Sequence, residues 1–257
     1  MSEKSGEGVG LIPRRVMAKF IDYAVLKHDL SEEKVLKACR TAKEHHFAAI
    51  CVLPWWVPVA VRALRGSDVK VCAAIAFPFG STQPQVKALE ARKAVEAGAS
   101  ELDVVMNIGA FKSRKFSAVL DELRMIVEMA DVSGLTRDGD KTLVKVIIET
   151  SVLTDDEIRK AAELVAQAGA DFIKTNTGFG PRGATVKDVK IIREVVGSEI
   201  GVKAAGGIRT FEQAKAFLDA GANRIGTSAA LEIVRALPEG PEVPRSAGEA
   251  GPLEVGR

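Results

Sequence analysis

Two lysines stand at or near the ends of short apolar runs in this chain. Lys174 closes the run FIK before the glycine-rich stretch TNTGFGPRG, and Lys203 lies within GVKAA, just before Gly206 and Gly207. Burying an ammonium group is costly unless the group is paired or loses its proton. A lysine in this setting is therefore a candidate nucleophile, because a neutral amine forms a Schiff base with a carbonyl.

The two lysines are expected to be neighbours. If the two runs are adjacent strands, they lie ~4.8 Å apart, and both amines occupy the same level of one sheet. Like charges at that range disfavour each other, so one of the two amines should lose its proton more easily. The alternative is that both lysines are salt-bridged structural residues, but two such lysines on consecutive strands favour chemistry.

Two further charged residues interrupt apolar runs. Asp103 lies within ELDVV, where it could balance the lysines, act as a general acid and base, or serve only as a counter-ion. Lys145 lies within LVKVI and could pair with Asp103 or Glu149. We therefore expect an electrostatic role for Lys145 rather than a covalent one.

Glycine-bearing loops suggest the ligand. They contain Gly178, the pair Gly206-Gly207, and the run Gly226-Thr227-Ser228. Backbone N–H groups in such loops, together with helix N-termini, commonly bind phosphate. No metal site is expected, because His28, His45 and His46 are the only histidines and the last two fall near a helix end. Cys51 is predicted to be a core-packing residue.

The elements that must position these residues alternate regularly between strand and helix. Eight βα units in unbroken series predict one single-domain (β/α)8 TIM barrel over residues 14–237, with flexible segments at 1–13 and 238–257. A doubly wound sheet is the alternative, but no GxGxxG motif follows the first strand. The predicted strands are 20–24, 48–53, 70–77, 101–108, 143–149, 171–175, 200–205 and 223–226.

Composition narrows the class of protein. The chain has 36 Lys and Arg residues and 34 Asp and Glu residues, so its charges nearly balance. This balance does not indicate a broad basic surface for binding nucleic acid or membranes. Three cysteines without CxxC spacing indicate a reducing compartment. The first ten residues lack the apolar run of a secretion signal, so we expect a cytoplasmic protein.

The motifs resemble one enzyme family over roughly residues 20–235. The stretches ELDVVMNIGAFKS, KVIIETSVLTDDEI, GADFIKTNTGF, GVKAAGGIRT and GTSAALEIV are similar, in order, to the deoxyribose-phosphate aldolases. The resemblance implies reversible aldol cleavage of 2-deoxy-D-ribose 5-phosphate to D-glyceraldehyde 3-phosphate and acetaldehyde, through a lysine Schiff base and without a cofactor. It also implies a homo-oligomer, a dimer or a tetramer, whose partners are phosphosugar and aldehyde substrates.

The resemblance assigns a role to each matched residue. Lys174 falls on the Schiff-base lysine, Lys203 on the lysine that perturbs it and transfers protons, and Asp103 on the proton relay. Asp22 falls on an acidic residue near the substrate hydroxyl. The full expected substrate-binding set is Asp22, Lys145, Thr175, Gly178, Gly206, Gly207, Gly226, Thr227 and Ser228.

The chain departs from the family pattern at Tyr23-Ala24, Leu53 and Asn176. These positions are expected to flank the mouth of the pocket and to affect substrate range more than reaction class. Two rival functions stay open at this point. One is another class I aldolase or transaldolase-like enzyme with a different acceptor, and the other is an inactive barrel that binds phosphosugars.

Overall fold

Eight parallel strands close into a barrel in a computed structural model that describes residues 12–132 and 141–238. Each strand pairs with its neighbours in chain order, and β1 pairs with β8 to complete the ring. The (β/α)8 prediction is therefore confirmed. The strands are β1 (Ile21–Val25), β2 (Ala49–Val52), β3 (Lys70–Ile75), β4 (Glu101–Val105), β5 (Leu143–Ile147), β6 (Phe172–Lys174), β7 (Gly201–Ala205) and β8 (Arg224–Thr227).

Helices cover the outside of the barrel. None of the helices in the described ranges combines the length and the apolar character that a membrane crossing requires. The helices are α1 (Arg14–Ala18), α2 (Glu32–His45), α3 (Val57–Ala63), α4 (Pro84–Glu96), α5 (Ile108–Lys112), α6 (Phe116–Val132), α7 (Asp155–Gln167), α8 (Val186–Val196), α9 (Phe211–Asp219) and α10 (Ala230–Arg235). Single 3-10 turns occupy Pro54–Trp56 and Thr150–Val152.

Side-chain caps explain where several helices begin. The Ser31 side chain accepts a hydrogen bond from the Lys34 N–H at the start of α2. Thr154 forms a capping box with Glu157 at α7, and Thr185 and Thr210 form equivalent boxes at α8 and α9. Each cap satisfies backbone donors that a helix N-terminus would otherwise leave unpaired.

The structure corrects the sequence prediction by two or three residues at the ends of the third, fourth and fifth strands, and the fifth stops at Ile147 instead of residue 149. The fourth strand stops at Val105 instead of residue 108, because Asn107 caps the short helix α5 through the Ala110 N–H. The third strand stops at Ile75, because Ala76 has a positive φ of 51° and ends the extended backbone. Residues 1–11 and 239–257, which make up most of the predicted flexible segments, lie outside the described residues.

The first helix of the barrel is hydrogen-bonded to the last helix and to the residues that follow it. The Arg14 side chain, on α1, donates hydrogen bonds to the carbonyls of Val234 and Leu237, and the Arg14 N–H donates to the Pro238 carbonyl at 3.1 Å. Helix α1 precedes β1, so this contact lies at the end of the barrel where the strands begin. The barrel is thereby closed by the first and last helices as well as by β1 and β8.

The barrel interior is filled mainly by charged side chains. The large apolar core lies between the strands and the helices, where Ile50, Leu102 and Ile173 are fully buried. Inside the ring the apolar cluster is small and comprises Leu26, Ala49, Cys51, Cys72 and Ala74. The remaining interior holds three carboxylates and four cations, which form the site described below.

A buried ion pair holds the loop after β3. The Lys87 ammonium on α4 donates to the carbonyls of Gly80 and Val105, at 2.9 and 2.8 Å, and to Glu122 Oε1 at 2.7 Å. Both charged side chains are nearly fully buried. Three loop and helix segments therefore meet at one ammonium group, which fixes the chain as it leaves β3.

Residue 80 must be glycine because the backbone of Met106 lies too close to leave room for a side chain. A Cβ there would lie 2.1 Å from the Met106 carbonyl oxygen, whereas Gly66 has a similar positive φ and open space around it. We expect Gly66→Ala to lower the free energy of unfolding by about 1 kcal/mol, from backbone strain alone. Gly80→Ala should cost about 2 kcal/mol more, because backbone must shift. Denaturant unfolding of both variants measures this, and equal losses would contradict the steric argument.

Candidate active site

The two strand-exit lysines meet at one carboxylate oxygen. Lys174 on β6 and Lys203 on β7 are register partners, and each ammonium lies 2.7 Å from Asp103 Oδ2. Asp103 reaches them from β4 and is fully buried, while Lys174 is 3% exposed. The structure thus brings together the three residues that the sequence singled out.

Lys145 occupies the other side of the same carboxylate. Its ammonium lies 3.0 Å from Asp103 Oδ1 and 2.6 Å from Glu101 Oε2, so of the two open pairings the one with Asp103 is found. The pairing with Glu149 is wrong, because Glu149 Oε2 instead accepts hydrogen bonds from the Thr177 N–H and hydroxyl. Lys145 is fully buried, which agrees with an electrostatic role.

A second layer of charges adjoins the first. Asp22 Oδ2 lies 2.5 Å from the Lys203 ammonium, and Arg224 donates to Asp22 Oδ1 and, at 2.9 Å, to Glu101 Oε1. The contacts of Asp22 Oδ2 and Glu101 Oε2 with lysine are ion pairs without hydrogen-bond geometry. Sequence reasoning missed Glu101 and Arg224, although Glu101 lies two residues before Asp103 and therefore on the same strand face.

Two carboxylates and two lysines of the cluster stay ionised despite their burial. Burial favours a neutral carboxyl, but the surrounding lysines hold the pKa of Asp103 well below its ordinary value. Asp22 is likewise desolvated, yet Arg224 and Lys203 lower its pKa. Burial opposes charge on Lys203 and Lys145 too, and Asp103 is the main group that raises the pKa of each. The interior is a preformed set of charges.

Two thiols line the floor of the cluster. Cys72 Sγ lies 3.2 Å from Asp103 Oδ1 and Cys51 Sγ lies 3.5 Å from Asp103 Oδ2. Burial and the nearby carboxylate raise the pKa of Cys72 well above its ordinary value, so this thiol is a protonated donor. The three side chains are spaced as metal ligands would be. Three ammonium groups already surround Asp103, however, so the cluster is unsuited to a cation.

A cleft of about 360 Å³ opens onto Lys174 and Lys203. Cys51 also lines it, while packing in the small apolar cluster inside the barrel as predicted. Asp103, Lys145 and Thr175 do not line the cleft, and the Thr175 hydroxyl is bonded to the Ala205 backbone. The members of the predicted set that do line it are Asp22, Lys174, Gly178, Lys203, Gly206, Gly207, Gly226, Thr227 and Ser228.

Two exposed cations in the cleft wall were not predicted. Lys27 follows β1 and Arg209 follows β7, and neither side chain forms an ion pair with any described residue. The single carboxylate in the lining is Asp22, which is fully buried and already paired with Arg224 and Lys203. The cleft is therefore suited to an anion.

The departures from the family pattern lie in different places. Ala24 lines the cleft, and Leu53 packs against the apolar cluster inside the barrel. Tyr23 does not flank the mouth as expected, because its ring packs edge-on against Phe47, 5.7 Å away. Asn176 is buried, and its Oδ1 accepts hydrogen bonds from the Thr150 hydroxyl and the Ser151 N–H.

The sequence model of the DeoC/LacD family aldolases matches residues 16–236. The chain belongs to this family. It is an aldolase, a lyase that breaks and forms carbon–carbon bonds. The described active-site strands and loops all fall inside the matched range.

The aldolase has relatives that match it along most of their length. A deoxyribose-phosphate aldolase from Streptococcus uberis is 51% identical over 216 residues, covering 84% of this chain and 94% of the relative. One from Halalkalibacterium halodurans is 48% identical, covering 86% and 95%.

Solved structures agree in fold with this aldolase. The aldolase QR15 superposes with a TM-score of 0.78 at 42% identity, covering 86% of this chain and 95% of its own. A deoxyribose phosphate aldolase from Aeropyrum pernix, described as a unique tetramer, has a TM-score of 0.78 at 32% identity and covers 87% and 91%. A homo-oligomer stays a prediction for this chain.

The charge cluster predicts a defined pH dependence of stability. Carboxylates with lowered pKa values, Asp22 and Asp103, stabilise the fold above their unfolded pKa of about 3.9 and lose that contribution as pH falls. Lys145 and Lys203, with raised values, contribute fully below about pH 10.4. We expect the contribution of these four residues to the free energy of unfolding to be constant from about pH 5 to 8 and to fall below about pH 4. Urea unfolding across pH measures it, and stability that rises on acidification would refute the assignment.

Proposed function

We propose that this aldolase reversibly cleaves 2-deoxy-D-ribose 5-phosphate to D-glyceraldehyde 3-phosphate and acetaldehyde through a Schiff base on Lys174. The observation that carries the proposal is that Lys174 lines the anion-suited cleft while its ammonium shares Asp103 Oδ2 with Lys203. Relatives of about half-identical sequence carry the name of this activity.

The first half of the reaction forms the imine. The neutral amine of Lys174 adds to the C1 aldehyde, and the resulting carbinolamine loses water to give an iminium. Lys203 lines the same cleft as an ammonium and supplies the proton that the departing hydroxyl needs. The iminium then serves as the electron sink, so no cofactor is invoked.

The second half breaks the C2–C3 bond, since acetaldehyde carries C1 and C2 of the sugar. A base removes the proton of the C3 hydroxyl, the bonding electrons move into the iminium, and an enamine on Lys174 results. Asp103 lies behind both lysines, so in this proposal it relays the proton through Lys203 or a water molecule in the cleft. Protonation of the enamine at C2 and hydrolysis release acetaldehyde.

The phosphate is assigned to the loops after β7 and β8. Gly206, Gly207 and Ser228 line the cleft there, and Arg209 adds a positive charge from the same side. Strands β7, β8 and β1 are consecutive around the ring, so Lys27 flanks this region from the loop after β1. The proposed phosphate position thus has backbone donors with a cation on each side.

Product formation and covalent trapping test the reaction. The purified protein should release acetaldehyde from 2-deoxy-D-ribose 5-phosphate, and borohydride in the presence of substrate should attach it to Lys174. Lys174→Leu should lose both, because it has no amine to form the imine. Lys37→Leu, which removes an exposed lysine on α2, is the matched control. Retention of the label in Lys174→Leu would refute the assignment, and a panel of aldose phosphates tests other class I aldolase activities.

Lys27 provides a separate test of phosphate recognition. We expect Lys27→Gln to raise KM for 2-deoxy-D-ribose 5-phosphate about tenfold, since a charge-assisted contact contributes about 1.5 kcal/mol, and to leave kcat little changed. KM for unphosphorylated 2-deoxy-D-ribose should not move. Lys37→Gln removes the same charge outside the cleft, and an equal effect from both variants would rule out a local contact.

A further inference from the structure

Arg224 binds two carboxylates without reaching the cleft. From β8 its guanidinium donates to Asp22 Oδ1 and to Glu101 Oε1, and it is absent from the cleft lining. The two carboxylates are 0% and 2% exposed and Arg224 is 16% exposed. Since arginine stays protonated in proteins, this is a fixed positive charge inside the barrel.

The two carboxylates that are paired with Arg224 are each paired with a lysine as well. Asp22 turns its other oxygen to Lys203, and Glu101 turns its other oxygen to Lys145. Lys203 thus contacts two carboxylates, Asp22 and Asp103, and Lys145 contacts Glu101 and Asp103 and lies 3.9 Å from Asp22 Oδ2. Lys174 contacts Asp103 alone among the described residues, at an oxygen that it shares with Lys203.

Counting the interior charges shows an imbalance. Among the ion-paired side chains of the described barrel interior, three carboxylates face four cations, and burial raises the pKa of Cys72, so that its thiol adds no charge. A buried cluster with one excess positive charge is relieved when one amine loses its proton. Lys174 has the fewest carboxylate contacts. The charged groups around it are Asp22 (β1), Glu101 and Asp103 (β4), Lys145 (β5), Lys203 (β7) and Arg224 (β8). Glu149 after β5 is a further buried carboxylate, but its oxygens accept hydrogen bonds from Ser151 and Thr177, and it forms no ion pair with a described residue.

We propose that Arg224 is a positioning residue that makes the cluster one carboxylate short, so that Lys174 is released as the neutral amine which attacks the substrate carbonyl. Arg224 does this at a distance, by engaging Asp22 and Glu101 rather than Lys174. The inference rests on the proposed function, because it assigns a cause to the nucleophilicity of the Schiff-base lysine.

Charge-count variants test the idea in opposite directions. The readout is the pH dependence of adduct formation on Lys174, with acetaldehyde and cyanoborohydride as probe and peptide mapping to locate the adduct. Arg224→Met leaves three cations and three carboxylates, so the midpoint should rise by about one pH unit and labelling near pH 7 should slow about tenfold. Glu101→Gln leaves four cations and two carboxylates, so the midpoint should fall. Arg224→Lys keeps the charge and should keep the wild-type midpoint.

The double variant Arg224→Met with Glu101→Gln restores one excess cation and should return the midpoint to the wild-type value. It also removes one of the two carboxylates that lose a partner in Arg224→Met, so it serves if that single variant does not fold. Shifts in the same direction for the two single variants, or an unchanged midpoint in Glu101→Gln, would overturn the proposal. Absence of any adduct on wild-type Lys174 would instead reject the proposed function itself.

Discussion

The carboxylate of Asp103 is the interaction on which the rest of the interior depends. Its two oxygens face lysines from β5, β6 and β7 and thiols from β2 and β3, so side chains from five strands converge on one anion. Each buried ion has given up its hydration, at a cost of several kcal/mol that only its partners offset. The cluster is therefore stable only as a set. A barrel filled with aliphatic side chains would avoid this cost but would place no amine beside a fixed proton donor.

Much of this arrangement could be predicted from the sequence, because it follows from two periodicities. The alternation of apolar runs with capped amphipathic helices determined eight βα units, and the closed ring confirms them. Within a strand, residues two apart share a face, so Lys174, Lys203 and Asp103 could be placed in one interior before any coordinates were known. Both arguments rely on local pattern, which the sequence carries directly.

The remainder depended on distances across the barrel, which no local pattern contains. Strand alternation places Glu101 and Arg224 inside, but it does not reveal that they pair with each other and with Asp22. The same limit explains why Glu149 was considered a partner of Lys145, when it instead holds Thr177. Lys27 looked like any loop lysine, and only the closure of β1 onto β8 brings it beside the loops assigned to phosphate.

The contact between Arg14 and the segment after α10 has a topological consequence. Because Arg14 is bonded to the carbonyls of Leu237 and Pro238, the chain enters and leaves the barrel at nearly the same point. That point lies on the face where the strands begin, opposite the cleft, which opens where the strands end. A circular permutation joining these two positions through a short linker would leave the strand order and every side chain of the charge cluster in place, and new termini could be opened in any loop on that same face.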